Sequence, residues 1–171
     1  FRFKGSGILT VTGIPGHGKS EFVDSICLGL FKNHKWKTAF YSPENKPTKL
    51  HISKLLRKYT GKGFGSEYSN SMSRGEMNQA MKHFNNNLWF IKPPNGFKLE
   101  NILDSVEQLV KRKGIDCFVI DAWNKLEHNY SGNETKYIGQ SLDQLADFCE
   151  KNQVHCFLVA HPTKVPKEND E

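Results

Sequence analysis

Short apolar runs alternate along the chain with longer stretches in which apolar residues recur every three or four positions. The runs fall at residues 8–12, 38–42, 88–92, 117–121 and 155–160. Each is too short for a helix and too continuous for a strand with one wet face, which predicts strands of a buried parallel sheet. Helical spacing marks three faces between them. Phe22, Val23, Ile26, Cys27, Leu30 and Phe31 form the first; Ile102, Leu103, Val106, Leu109 and Val110 the second; Ile138, Leu142, Leu145 and Cys149 the third. Strands alternating with helices predict an α/β chain, with a sheet covered by helices. The stretch 61–87 is less regular. "GKGFGSEYSNSMS" predicts a loop and "RGEMNQAMKHF" a further helix. There is no internal repeat and no low-complexity segment, and "PTKVPKENDE" predicts a polar tail or loop.

Composition narrows this picture only a little. With 171 residues, residues 1–171 are expected to form one domain. No run of about 18 apolar residues occurs, so no membrane span or membrane partner is expected. The start, "FRFKGSG", has no apolar core of a signal peptide. It lacks an initiator Met, so the chain is expected to be a piece of a longer one. Cys27, Cys117, Cys149 and Cys156 form no CxxC pair and lie in apolar stretches, which predicts buried reduced thiols. The net charge of +6, from 24 basic and 18 acidic residues, suits a polyanionic partner without requiring one.

The chemistry begins at the end of the first run. "GIPGHGKSEF" carries Gly13-x-x-x-x-Gly18-Lys19-Ser20, the pattern of a phosphate-binding loop. Glycines let backbone N–H groups turn inward around phosphate oxygens, and a helix starting at Lys19 aims its positive end at them. Lys19 is the candidate for the β- and γ-phosphates and Ser20 for Mg²⁺. Gly13, Pro15, Gly16, His17, Gly18, Lys19, Ser20 and Glu21 form the candidate nucleotide-binding set, with ATP and Mg²⁺ as the expected ligands. "CFVID" ends a strand on Asp121, where a carboxylate faces the ligand crevice of a parallel sheet; it is the second candidate for the metal. Hydrolysis needs a group to orient or deprotonate water. "FYSPEN" puts Glu44 just past the second strand for that role, and "VAHPTK" puts His161 at the end of the fifth, where it is a candidate sensor of the γ-phosphate.

Taken in order, "TGIPGHGKSEF", "FYSPEN", "FVIDAWNKLEH", "NETKYIGQSLDQLADF" and "FLVAHPTK" resemble the RecA-like core of DnaB-type ring helicases, phage and mitochondrial primase–helicases in particular. The resemblance spans residues 7–164, and its specificity lies in the combination. It implies a P-loop ATPase that drives translocation on single-stranded DNA within a homo-hexamer, alongside a primase domain or protein. The implied setting is the cytoplasm of a bacterial or phage-infected cell, with an organelle left open. It also implies a sheet order of 3-2-4-5-1 with helices on both faces, Glu44 as the activator of water, Asp121 as the Walker B aspartate, and His161 as the coupling residue. Many relatives carry Gln at the last position. The arginines are Arg2, Arg57, Arg74 and Arg112, none where the family's arginine finger falls. The expectation is therefore a piece that turns ATP over slowly and assembles weakly on its own. Lys164 and Lys167 fall where the family's DNA loops begin.

Three other readings share these residues. A RecA/RadA-type recombinase would use Lys19, Ser20, Glu44 and Asp121 equally well. So would a nucleotide-binding switch or assembly module. A small-molecule kinase would need a lid and an acceptor pocket, which nothing marks. "NKLE" at 124–127 resembles the guanine-reading motif of GTPases but follows Asp121 by three residues, too early for that role. The histidines offer no zinc spacing.

Overall fold

The computed structural model describes residues 6–65, 68–128 and 132–162. Five parallel strands form one sheet: β1 (Gly7–Thr12), β2 (Thr38–Tyr41), β3 (Leu88–Phe90), β4 (Cys117–Asp121) and β5 (His155–Ala160). Their order is β1-β5-β4-β2-β3, the expected 3-2-4-5-1 order read from the other edge. Five helices connect or flank them: α1 (Lys19–His34), α2 (Thr48–Thr60), α3 (Arg74–Asn85), α4 (Leu99–Lys113) and α5 (Glu134–Asn152). A 3₁₀ turn at Trp123–Lys125 follows β4.

The handedness of parallel crossovers explains the layers. From β1 the chain moves outward to β2 and then β3; from β3 it returns through β4 to β5. Right-handed connections running in opposite directions put their helices on opposite faces. Accordingly α1, α2 and α3 pack on one face through Val23, Cys27, Leu55 and Phe84. On the other, α4 and α5 pack through Ile102, Val106, Leu145 and Cys149. The central strand serves both: Cys117 and Val119 point into the first cluster, Phe118 and Ile120 into the second. That is why its sequence is apolar without alternation. Burying one such side chain stabilises by about 1.5–3 kcal/mol, so both layers are strongly held.

Three differences from the sequence pattern have local causes. β3 ends at Phe90: it lies at the sheet edge and pairs only with β2, and after the Ile91 amide donates to the Phe40 carbonyl the prolines Pro93 and Pro94 offer no further N–H. Phe22, counted with the apolar face of α1, is exposed; it lies in the first turn, while Val23 and Cys27 carry the packing of this helix. α2 adds a helix to the three faces marked by apolar spacing, and buries His51 with Leu55 and Leu56. All four cysteines are free and buried. Burial first, and the neighbouring thiols second, push Cys27 and Cys156 above the ordinary thiol range. Among the described residues, no helix is long and apolar enough to cross a membrane.

Candidate nucleotide site

Parallel pairing brings the strands' carboxyl ends together. Thr12 is level with Ala160, Val159 with Asp121, and Ile120 with Tyr41. The residues that follow β1, β2, β4 and β5, namely 13–18, 42–45, 122 and 161, therefore gather at one edge of the sheet. This is the rim where open α/β sheets bind ligands.

Between β1 and α1 the backbone takes positive φ at Gly16 (81°) and Gly18 (77°), conformations in which a side chain would be strained. Gly18 is the N-cap of α1, and no side chain caps this end. The first-turn N–H groups have no acceptors within the helix, so an anion suits them. The Lys19 side chain folds back inside the loop and donates to the Gly13 carbonyl at 2.6 Å and the Ile14 carbonyl at 2.9 Å. Its position is buried. A buried ammonium beside uncapped amides fits a polyphosphate. His17 contacts the Pro15 carbonyl through Nδ1 at 3.2 Å. The Glu21 carboxylate is turned to α2, 2.9 Å from Lys58 and 3.4 Å from Lys54. Burial pushes its pKa up, but the hydrogen bonds and charges of Lys58 and Lys54 outweigh this and the net shift is downward.

Asp121 is the centre of the rim. Ser20 Oγ donates to its Oδ1 at 3.0 Å, across 101 positions of sequence. Ser42 Oγ donates to its Oδ2 at 3.0 Å, and Asn45 Nδ2 approaches both Oδ2 at 3.3 Å and Ser42 Oγ at 2.8 Å. The carboxyl's pKa is raised, first by burial and further by the charges of Glu44 and Asp24, against the lowering hydrogen bonds of Ser20 and Ser42. One carboxylate and one hydroxyl are too few to cage a cation, and the described residues contain no cluster of three metal-ligating side chains. The set fits Mg²⁺, which is typically held by one or two carboxylates together with substrate phosphates and water.

Glu44 follows β2, the strand beside β4, so it lies past the end of the strand next to the one that Asp121 ends. The Glu44 carboxylate lies between Lys125 Nζ at 3.5 Å and His161 Nε2 at 3.7 Å. Asn124 holds the end of β5 by accepting from the His161 amide at 2.8 Å. His161 Nδ1 is buried with no partner among the described residues. Lys164 and Lys167 lie outside the described residues.

Several contributors to the rim escape a motif search. Ser42 and Asn45 lie within "FYSPEN" but match no pattern that marks them. Asp24 is buried on α1 and meets His51 Nε2 at 3.0 Å; its spacing of four from Ser20 puts it on the same helix face, the one signal that could have found it. Lys125, part of the GTPase-like "NKLE", stands instead beside Glu44.

No protein-family model matches the chain. It is 32% identical over 166 residues to the Twinkle homolog protein, chloroplastic/mitochondrial, of Arabidopsis thaliana; the match covers 92% of this chain and 23% of that protein. Its fold is similar to that of a DnaB-like replicative helicase whose structure was solved with its interactions with primase. There the TM-score is 0.67 at 17% identity, over 97% of this chain and 41% of the other. The chain therefore spans less than half the length of either protein. In sequence it is similar to the Twinkle homolog and in fold to the DnaB-like helicase, in line with the resemblance that its motifs carry.

Proposed function

We propose that this chain is the ATP-binding and ATP-hydrolysing core of a DNA helicase ring. The observation that carries this reading is the Ser20–Asp121 hydrogen bond. It joins the first turn of the P-loop helix to the end of β4, with Glu44 in the segment that follows the adjoining strand β2. The likeness to Twinkle and DnaB-like helicases supports the motor assignment over a recombinase, a passive assembly module or a kinase.

In this reading the amides of the Gly13–Ser20 loop and the Lys19 ammonium bind the β- and γ-phosphates. Ser20 and Asp121 hold Mg²⁺, which when bound neutralises charge on the phosphate oxygens. Ser42 and Asn45 orient the Asp121 carboxylate. Glu44 accepts a proton from the water that attacks the γ-phosphorus, as the bond to the ADP oxygen breaks and inorganic phosphate leaves. For that step Glu44 turns from Lys125 and His161 toward the water. His161, at the end of β5, then registers whether a γ-phosphate is present. The ring is a homo-hexamer on single-stranded DNA, and a primase domain or protein acts beside it. The working compartment is the cytoplasm of a bacterial or phage-infected cell, or an organelle such as the relative's name specifies.

The test is Glu44→Gln in the full-length protein. ATP binding should persist while kcat falls about 10²–10⁴-fold, the usual contribution of a general base, and strand separation should fall with it. Unchanged turnover would remove Glu44 from the mechanism. Filament formation on DNA without strand separation would point to a recombinase instead.

A further inference from the structure

A second concave surface lies beside the nucleotide rim and is not explained by ATP chemistry. It is an open groove of about 670 Å³ between α2, the first turn of α1 and the segment after α2. Lys54, Arg57, Lys58 and Lys62 line it, with Tyr68 and a single described carboxylate, that of Glu21. Lys58 is fully engaged, by the Glu21 carboxylate and carbonyl and by Ser25 Oγ. Lys62 pairs with Glu76 from outside the groove. Arg57 has a ring for its neighbour: its guanidinium carbon lies 5.5 Å from the centre of the Tyr68 ring. That ring is seated on Gly63, where a Cβ would come within 2.5 Å of it. Glycine at 63 thus lets the ring lie against the backbone, and the ring in turn holds Arg57 at the mouth of the groove.

We propose that this groove holds a short stretch of single-stranded nucleic acid, with Arg57, Lys62 and Lys54 on its phosphates and Tyr68 beside a base. The inference rests on the reading that the protein works on a DNA strand, and adds a contact to it outside the region of Lys164 and Lys167. Four cations against the carboxylates of Glu21 and Glu76 leave a positive excess that suits a polyanion. The volume is that of a small-ligand pocket, about 300–1,000 Å³, which admits a nucleotide or two of a flexible strand but not a duplex. A half-exposed aromatic ring with a guanidinium beside it suits bases and phosphates together; an acidic peptide would use the cations alone. Lys54 connects the groove to the nucleotide site: its Nζ lies 3.3 Å from Asn45 Oδ1 as well as 3.4 Å from Glu21, and Asn45 in turn touches Asp121.

The test is fluorescence anisotropy of a labelled oligothymidylate of about a dozen nucleotides, titrated with this chain without nucleotide. The double variant Arg57→Ala/Lys62→Ala should bind about tenfold more weakly. Its plot of log affinity against log salt should be shallower by about 1.4, or 0.7 for each phosphate left without its cation. Lys62→Gln alone should flatten the plot by about 0.7, and tests the same point should the double variant fold poorly. Lys111→Ala/Lys113→Ala removes equal charge from the end of α4 and should shift affinity less than about twofold. Equal losses in the two double variants would overturn the site in favour of diffuse attraction. So would an affinity that depends only on Lys164 and Lys167, or an oligoglutamate of matched charge that displaces the strand equally well. MgATP affinity, measured separately, belongs to the P-loop. Strand binding that ignores Arg57 and Lys62 while MgATP still binds refutes the groove alone; groove-dependent strand binding without MgATP binding refutes the ATPase reading alone.

Discussion

At the scale of single residues, charge placement decides what the site can do. The Lys19 ammonium is held inside the loop by the Gly13 and Ile14 carbonyls, and its contacts with an anionic phosphate would be of the strong, charge-assisted kind. Lys19→Ala should abolish ATP binding in a fluorescent-nucleotide titration; equal affinity for the variant and the parent would refute the P-loop assignment. Asp121 has the opposite character, because burial and neighbouring carboxylates disfavour its charge. Its folded pKa lies above the ordinary 3.8, so between the two values the folded state binds more protons than the unfolded one. Stability then falls as pH rises through that window and stays reduced at neutral pH. Asp121→Asn should therefore raise the melting temperature of the nucleotide-free chain at pH 7 and flatten its acid dependence. The same variant should lose the extra stabilisation that Mg²⁺ adds to bound nucleotide. A lower melting temperature would mean that the Ser20 and Ser42 hydrogen bonds outweigh the cost of the buried charge. Glu44, Asp121, Lys19 and Ser20 were legible as candidates because each sits at a fixed offset from a strand or glycine. Ser42 and Asn45 were not, because a serine or asparagine in a loop acquires its role only from what another strand places beside it.

At the scale of elements, the helices differ in how openly the sequence declares them. α3 starts with a capping box: Ser73 Oγ accepts from the Glu76 amide, and the Glu76 carboxylate accepts from the Ser73 amide. Ser73→Ala should cost about 1 kcal/mol, read as a lower midpoint in urea unfolding with unchanged slope. Lys62 and the Ser73 donors hold Glu76 down to a pKa of about 2. Its contribution is thus fully present above about 4.5 and is lost as pH falls toward 2. Ser73→Ala, by weakening that cap, should make the acid transition less steep. "RGEMNQAMKHF" was legible as this helix from the sequence. The exposure of Phe22 was not, since periodicity marks a face of a helix and cannot report which residues of that face a neighbour covers.

At the scale of the molecule, ligand and strand binding give global readouts. A nucleotide that binds only the folded state should add about 2.7 kcal/mol of stability at a hundredfold excess over its Kd. Lys19→Ala should remove that increment in thermal melts. Lys164→Ala/Lys167→Ala in the full-length protein should weaken single-stranded DNA binding and make its salt dependence shallower. An unaltered slope would leave those lysines as a plain charged tail, whatever becomes of Arg57 and Lys62.

The sequence by itself determined the class of fold. Continuous apolar runs cannot satisfy one wet face, and their alternation with helical spacing leaves little but a two-sided parallel sheet. It also determined the loop, because three glycines, a lysine and a serine at those offsets have a local geometric consequence. Sheet order came from resemblance rather than periodicity, and the structure agrees with it. Only the tertiary structure decided which side chains meet. Ser20 and Asp121, Glu44 and Lys125, and Lys54 and Asn45 become neighbours through strand pairing and helix docking. Residues as far as 101 positions apart carry no periodic trace of contact, because the pairing energy that brings them together is spread over the whole core.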